Sequence, residues 1–159
     1  MPDPRGFTRF DSGHLLGGAA GACAFGEIEW KWINTAWRGG IPVTAEGYEP
    51  PALRLEMQVR PMRPSEPSVV YLVHGDHLRR VDINGGHKGR IYSHVQTKQS
   101  SDGPPEVTEE LPEWFTKVPI ADTVGRDIYR RVLWDAARLF QIGMSGVPWV
   151  EPPEGGGAR

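Results

Sequence analysis

The segment HLRRVDINGGHKGRIYSH, residues 77–94, combines residue types that can carry out acid–base chemistry on a phosphate ester. It contains three of the five histidines of the 159-residue chain. Its charged side chains are four bases and one carboxylate: Arg79, Arg80, Lys88, Arg90 and Asp82. A histidine, with a pKa of about 6.5, can take a proton from a 2′-hydroxyl group or give one to a leaving oxygen. An arginine can stabilise the charge that develops on the phosphate, and neither step requires a metal ion or another cofactor.

We predict four catalytic residues in this segment: Arg80, Asp82, His87 and His94. Arg80 would bind the phosphate, Asp82 would orient its neighbours, and the two histidines would exchange protons. The predicted binding residues around them are Arg79, Lys88, Arg90, Tyr71 and Tyr92. Each assignment also has a structural alternative, because Arg80 and Asp82 can form a plain surface ion pair. In that alternative His87 is a turn residue, and His94 is a partly buried histidine that is hydrogen-bonded within the sheet.

The run RRVDINGGHKGRIYSH resembles the core motif of the TumE-like toxins of prokaryotic toxin–antitoxin systems. That motif has an Arg-x-Asp on a strand, a histidine after a short loop, and a His-x-His on the next strand. Arg80 and Asp82 match the first element, and His87 matches the loop histidine. His94 matches the start of the last element, whereas Gln96 stands where the family has its second histidine. The resemblance implies an RNA-directed toxin of the cytoplasm with an antitoxin as its partner.

The charge of the chain is unevenly distributed. The formal net charge is -2, but residues 74–99 carry five bases against two carboxylates, or +3, which leaves -5 for the rest. Residues 102–113 contain five acids and no base. The basic segment therefore suits an anionic partner such as RNA. Alternatively, the basic and acidic segments screen each other.

The single cysteine, Cys23, excludes an internal disulfide framework and predicts a cytoplasmic protein. We find no signal peptide and no apolar run of the ~20 residues that would span a membrane. We predict no metal site, because the pair His74 and His77 lacks nearby residues that would complete a zinc coordination shell. Phosphate-binding glycine motifs, zinc-protease motifs and serine-hydrolase motifs are absent from the sequence.

The pattern of apolar residues predicts an α+β fold, in which a meandering antiparallel sheet of about five strands is covered on one face by a C-terminal helix. Residues 27–33 and 53–60 alternate between apolar and polar side chains, as half-buried strands do. A stripe of apolar residues at helical spacing predicts the helix over residues 122–142. We expect an irregular N-terminal arm over residues 1–24, one domain over 25–145 and a flexible tail over 146–159.

Two predicted hairpins decide which side chains share a face of the sheet. A type II′ turn at Gly75-Asp76 would place Tyr71 opposite Arg80. In the next hairpin two registers stay open. If Ile83 pairs with Ile91, then Arg80 faces His94 and Asp82 faces Tyr92. That register gathers one set on a single face: Tyr71, Arg80, Asp82, Tyr92 and His94. If Ile83 pairs with Arg90 instead, Arg79 faces His94, because a one-residue shift moves every side chain to the other face.

Two functional hypotheses follow. The first is a small, metal-independent, ribonuclease-like toxin, which needs Arg80 and His94 on one face, partly exposed, in one concavity. The second is a non-enzymatic module, antitoxin-like, phage-derived or regulatory, that binds a protein. The module would instead present a contiguous exposed apolar patch, for example around Trp30, Trp32 or Trp37, and no ordered polar cluster.

Overall fold

The computed structural model describes residues 6–87, 90–104, 106–125 and 127–154, without the side chains of residues 86, 87, 90 and 91. These residues form one antiparallel sheet of eight strands and two helices, so the predicted α+β class is confirmed. The strands are β1 (Cys23–Ala24), β2 (Glu29–Ile33), β3 (Ala36–Ala45), β4 (Tyr48–Arg60), β5 (Arg63–Val73), β6 (Asp76–His87), β7 (Arg90–Thr97) and β8 (Val107–Glu110), and the helices are α1 (Arg9–Leu16) and α2 (Ile128–Leu139).

The sheet is a meander in which strands β2 to β8 pair with their neighbours in chain order, and β1 pairs with β3 beside β2. The prediction of about five strands is wrong. One reason is that β3 contains two glycines and a proline, which are uncommon inside strands, so the sequence does not indicate a strand there. Gly39 and Gly40 lie in the middle of β3 where neighbouring side chains cover the backbone. A Cβ atom on Gly39 would lie 2.8 Å from the Trp30 ring, and one on Gly40 would collide with the Arg54 guanidinium.

One face of the sheet, here called the inner face, carries the hydrophobic core. Alternate residues of the central strands are buried there: Ile41, Val43, Leu53, Leu55, Met57, Val69, Tyr71, Val73, Val81 and Val95. Burying side chains of this size contributes about 1.5–3 kcal/mol each relative to leaving them exposed. The side chains between them point to the opposite face, here called the outer face, which is polar.

Both helices pack on the core through apolar side chains. Helix α1 lies within the predicted N-terminal arm, and its Leu15 is fully buried. Helix α2 contacts β5, where the ring of Phe140 stacks on Tyr71 with centroids 6.0 Å apart. The guanidinium of Arg79 donates a hydrogen bond to the carbonyl oxygen of Leu139, at the end of α2. Burial lowers the pKa of Arg79, and its positive charge complements the negative end of the helix dipole.

The predicted register of the hairpin between β5 and β6 is wrong by one residue. The turn consists of His74 and Gly75, which both have a positive φ, at 49° and 82°. Two central residues with positive φ are typical of a type I′ turn, which matches the right-handed twist of the strands. The turn pairs Val73 with Asp76 and Leu72 with His77, and the pairing then shifts by one residue between Leu72 and Tyr71. Because of this shift, Tyr71 pairs with Arg79 and not with Arg80. Tyr71 is fully buried on the inner face and is removed from the set of predicted binding residues.

Replacing Tyr71 by phenylalanine is expected to leave stability at pH 7 unchanged or to raise it by about 1 kcal/mol. The Tyr71 hydroxyl is buried, and it has no hydrogen-bond partner among the residues that the structure describes. Burial also raises the pKa of Tyr71 above its ordinary value of 10.0. Deprotonation of Tyr71 is therefore less favourable in the folded protein than in the unfolded chain. The titration of Tyr71 leaves the free energy of unfolding unchanged below about pH 10 and lowers it as the pH rises from there through the folded-state pKa.

The measurement for Tyr71→Phe is urea unfolding of both proteins at pH 7 and at a series of pH values above 10. The free energy of unfolding should fall less steeply with pH in the variant, since the variant lacks this titration. A loss of about 2 kcal/mol at pH 7 would instead show that the hydroxyl group has a partner that stabilises the fold.

Candidate functional site

Strands β6 and β7 bring three of the four predicted catalytic residues together on the outer face. Asp82 pairs with His94, and Arg80 pairs with Gln96. Neither predicted register is the observed one. The observed pairing differs from the first by two residues, however, and an even shift leaves every side chain on the same face. Arg80, Asp82 and His94 therefore share a face, as they would in the first of the two registers considered and not in the second.

Direct contacts join these residues through the carboxylate of Asp82. Arg80 Nε donates a hydrogen bond to Asp82 Oδ2 at 2.9 Å, and Arg80 Nη2 donates one to Gln96 Oε1 at 2.5 Å. His94 Nε2 lies 3.4 Å from the same Asp82 Oδ2. The carboxylate thus orients both the guanidinium and the imidazole, and Gln96 fixes the second edge of the guanidinium. A held guanidinium can bind a phosphate with little further loss of side-chain freedom.

His94 is the least accessible residue of the cluster. Its side chain is 4% exposed, compared with 22% for Asp82 and 35% for Arg80. The ring of Tyr92 lies against the imidazole, with centroids 4.7 Å apart, and the Nδ1 atom is buried. Because Nε2 faces Asp82, Nδ1 is the nitrogen that could exchange a proton with a ligand. Such an exchange requires a neighbouring group to move, because Nδ1 is not accessible.

A β-bulge in β6 shapes the strand next to Asp82. The pairing with β7 shifts between Asp82 and Gly85, and Asn84 there has a φ of 53°. The Asn84 side chain donates hydrogen bonds to the carbonyl oxygens of Ser65 and Val118, at 2.9 and 2.8 Å. These bonds fix β6 to β5 and to the segment that follows β8. The Asn-Gly-Gly sequence of residues 84–86 is typical of turns and bulges.

Arginines from β3, β4 and β5 lie on one side of the cluster, and they were not among the predicted site residues. A concavity of about 250 Å³ is lined by Arg60, Arg63 and Arg80 together with Asp82 and His94. A hollow of about 320 Å³ shares Arg60, Arg80 and Asp82 with it and adds a fourth arginine, Arg38.

We call these four residues the arginine group: Arg38, Arg60, Arg63 and Arg80. Within the part of the chain that the structure describes, Arg38, Arg60 and Arg63 form no ion pair with a carboxylate. Glu56 lines the larger hollow and Glu66 the smaller one, but among the described residues neither carboxylate is within ion-pairing distance of these three guanidinium groups. The sequence signal for them was weak, since the three come from strands β3, β4 and β5 and meet only in the sheet.

Of the remaining predicted site residues, one lies beside the cluster, one lies on the opposite face, and the side chains of the others lie outside the described residues. Tyr92 lies beside His94 on the outer face, and Arg79 points to the inner face, where it contacts helix α2. The backbone of His87 pairs with Arg90 at the end of the second hairpin, but both side chains lie outside the described residues. Lys88 lies wholly outside them.

Searches for other sites and for relatives gave negative results. Among the described residues, no group of three or more histidine, cysteine or acidic side chains could hold a metal ion. No described helix is long and apolar enough to cross a membrane. No protein-family model, no curated protein and no solved structure matches the chain.

Proposed function

We propose that this protein binds single-stranded RNA on the outer face of its sheet and cleaves it by metal-independent acid–base catalysis. One observation carries the proposal. Arg80, Asp82 and His94, which are residue types suited to phosphate-ester chemistry, touch one another in a concavity that two further arginines line. Acid–base groups and phosphate-binding groups thus lie within one small volume.

The arginine group accounts for binding of the phosphodiester backbone. Guanidinium groups bind phosphate oxygens through two parallel hydrogen bonds, and this geometry favours phosphate over a simple monovalent anion. The three arginines without carboxylate partners come from β3, β4 and β5 and extend from Arg80 across the sheet on the side away from β7. A strand of RNA would therefore contact them at successive phosphates, and its affinity would fall as the salt concentration rises.

The cleavage step would be a transesterification within the RNA. His94 accepts the proton of the 2′-hydroxyl, O2′ attacks the neighbouring phosphorus, and the bond from phosphorus to O5′ breaks. Arg80 stabilises the additional negative charge on the phosphate oxygens. A second proton donor protonates the leaving O5′, and His87 is the residue that we predict for this role. The products are a 2′,3′-cyclic phosphate and a free 5′-hydroxyl.

The proposal agrees with the activity that the resemblance to the TumE-like toxins implies. At the position of the second histidine of that motif, Gln96 accepts a hydrogen bond from Arg80. Gln96 therefore takes part in holding the phosphate-binding guanidinium and does not exchange protons. In this proposal the protein acts in the cytoplasm, and an antitoxin partner would inhibit it by covering the outer face.

The direct test is incubation of the purified chain with a single-stranded RNA oligonucleotide in the presence of EDTA. We expect fragments that end in 2′,3′-cyclic phosphates and 5′-hydroxyls, and no cleavage of the DNA oligonucleotide of the same sequence, which lacks the 2′-hydroxyl. Fragments with 5′-phosphates, or cleavage that EDTA abolishes, would contradict the proposed chemistry.

A second candidate function is a binding module without catalytic activity. It is favoured by the burial of His94, since a histidine that is 4% exposed can serve as a structural part of a polar cluster. A protein-binding module, as the sequence suggested it, would present an exposed apolar patch, but Trp30, Trp32 and Trp37 are each half-buried. The module would therefore use the arginine group. RNA binding without cleavage, and normal growth of bacteria that express the protein, would favour this candidate.

A further inference from the structure

A second cavity lies beside the candidate site, where β7 and β8 separate. Strand β8 pairs with β7 only from Thr97 to His94 and ends at Glu110. The chain then turns away from β7, which leaves a cavity of about 590 Å³ next to Tyr92 and Ser93. This volume lies in the range of typical small-ligand sites, about 300–1,000 Å³.

Tyr92 connects this cavity with the Arg80, Asp82 and His94 cluster. Its ring lines the cavity and also lies against His94, at 4.7 Å between ring centroids. A ligand that reaches both places would span about one nucleotide, with a phosphate at the arginines and a planar group at Tyr92. Single-stranded RNA is commonly bound in this way, because unpaired bases stack on aromatic side chains.

The walls of the cavity combine an apolar surface with two carboxylates. Leu111 and Phe115 contribute the apolar part. Glu110 and Glu113 contribute the carboxylates, and Lys117 contributes one ammonium group, which forms no ion pair with either carboxylate in the part of the chain that the structure describes. Glu110 pairs with His94 across the strands, so its side chain lies on the outer face beside the imidazole. With two carboxylates and one ammonium group the wall carries a net charge of -1, so phosphate is favoured at the arginines and the cavity is left to the base.

The carboxylates also decide which base fits. An ionised carboxylate only accepts hydrogen bonds, and it can accept two parallel ones. The Watson–Crick edge of guanine presents two adjacent donors, N1–H and the N2 amino group. Adenine, cytosine and uracil each present donors next to acceptors on that edge, and an acceptor would face a carboxylate oxygen.

From these observations we propose that the cavity between β7 and residues 111–118 is a guanine-binding subsite. Tyr92 would stack on the base, and Glu110 and Glu113 would accept hydrogen bonds from its N1 and N2 groups. The inference rests on the proposed function, because it makes this subsite the place where the RNA base next to the reacting phosphate binds.

The test is titration of the purified full chain with 5′-GMP, 5′-AMP, 5′-CMP and 5′-UMP by calorimetry. We expect GMP to bind about tenfold more tightly than the other three, the discrimination typical of one bidentate contact to a base. The double variant Glu110→Gln with Glu113→Gln should bind all four nucleotides within about twofold of one another. The double variant Glu106→Gln with Glu109→Gln is the matched control, since it removes two charges from the same segment but none from the cavity wall, and it should keep the preference.

Tyr92→Ala adds a separate measurement, because loss of stacking should weaken all four nucleotides by about tenfold or more. Circular dichroism of each variant checks that it has folded. Equal binding of the four nucleotides to the wild type, a GMP preference that persists in the Glu110 and Glu113 double variant, or no binding at millimolar concentrations would each overturn the inference.

Cleavage of RNA distinguishes this inference from the proposed function. If the protein cleaves RNA equally after all four bases and does not prefer GMP, the subsite is disproved and the proposed function stands. If GMP is preferred but RNA is not cleaved, the subsite is supported and the nuclease activity fails.

Discussion

Replacing His94 by alanine is expected to slow RNA cleavage about 10²- to 10⁴-fold, the range that removal of a general acid or base typically produces. His94 is the only histidine whose described side chain contacts Asp82, and no other described base lies as close to that carboxylate except Arg80. The measurement is the single-turnover rate on an RNA oligonucleotide at saturating enzyme, which reports the chemical step separately from binding.

Two further variants separate the chemical role of His94 from its structural role. His94→Gln keeps an amide that can donate a hydrogen bond to Asp82, but it cannot exchange protons at neutral pH. It should fold like the wild type and still lose activity. His14→Ala changes a half-buried histidine on helix α1, outside the site, and should leave the rate within about twofold. If His94→Gln cleaved RNA at the wild-type rate, His94 would be a structural residue only.

Replacing Arg80 by alanine is expected to slow the same reaction about 10²- to 10³-fold, as removal of one group that stabilises a developing negative charge does. The Arg80 guanidinium is held by Asp82 and Gln96 and therefore needs little reorganisation when phosphate binds. Arg80→Lys should recover only part of the rate, because an ammonium group lacks the planar fork that matches two phosphate oxygens.

The matched control for Arg80 is Arg54, which repeats the same arrangement on another strand. Arg54 and Glu56 are two residues apart on β4, with Nε and Oε2 separated by 3.4 Å, as Arg80 and Asp82 are two residues apart on β6. Arg54→Ala removes the same charge from the same face, but Arg54 does not line the concavity at His94. An equal loss of activity in the two variants would mean that the overall charge of the face matters and that Arg80 has no special position.

Because His94 is buried, binding of RNA and access to His94 depend on each other. The effects of the His94 and Arg80 variants on the chemical step are therefore measured separately from their effects on binding. The Tyr92 ring lies against the imidazole, so a ligand that displaces or restrains this ring also changes the surroundings of His94. In the proposed subsite a guanine base stacks on that same ring. Binding of the base and access to His94 are thus coupled through one side chain, and a substrate with a poorly fitting base should lose rate as well as affinity.

Several features of this protein follow from the sequence alone, for reasons of periodicity. Alternating apolar residues in 53–60 predicted a half-buried strand, and the structure has it within β4. Arg80, Asp82 and His94 share one face, as in the first of the two registers considered, although the observed register is neither of the two. Side chains in a strand repeat every two residues, so a register error of two residues moves the partners and keeps the face.

Other features were decided by the tertiary structure. The pairing of β5 with β6 shifts by one residue between Leu72 and Tyr71, which the sequence does not indicate, and this shift moved Tyr71 from the predicted site into the core. Strand β3 contains Gly39 and Gly40 and is recognisable only from the side chains that pack over it. Arg38, Arg60 and Arg63 belong to three different strands and meet at Arg80 only because the meander places those strands side by side. Local patterns determine which face a residue occupies, whereas turn conformation and strand pairing determine which residues meet there, because those depend on contacts between distant parts of the chain.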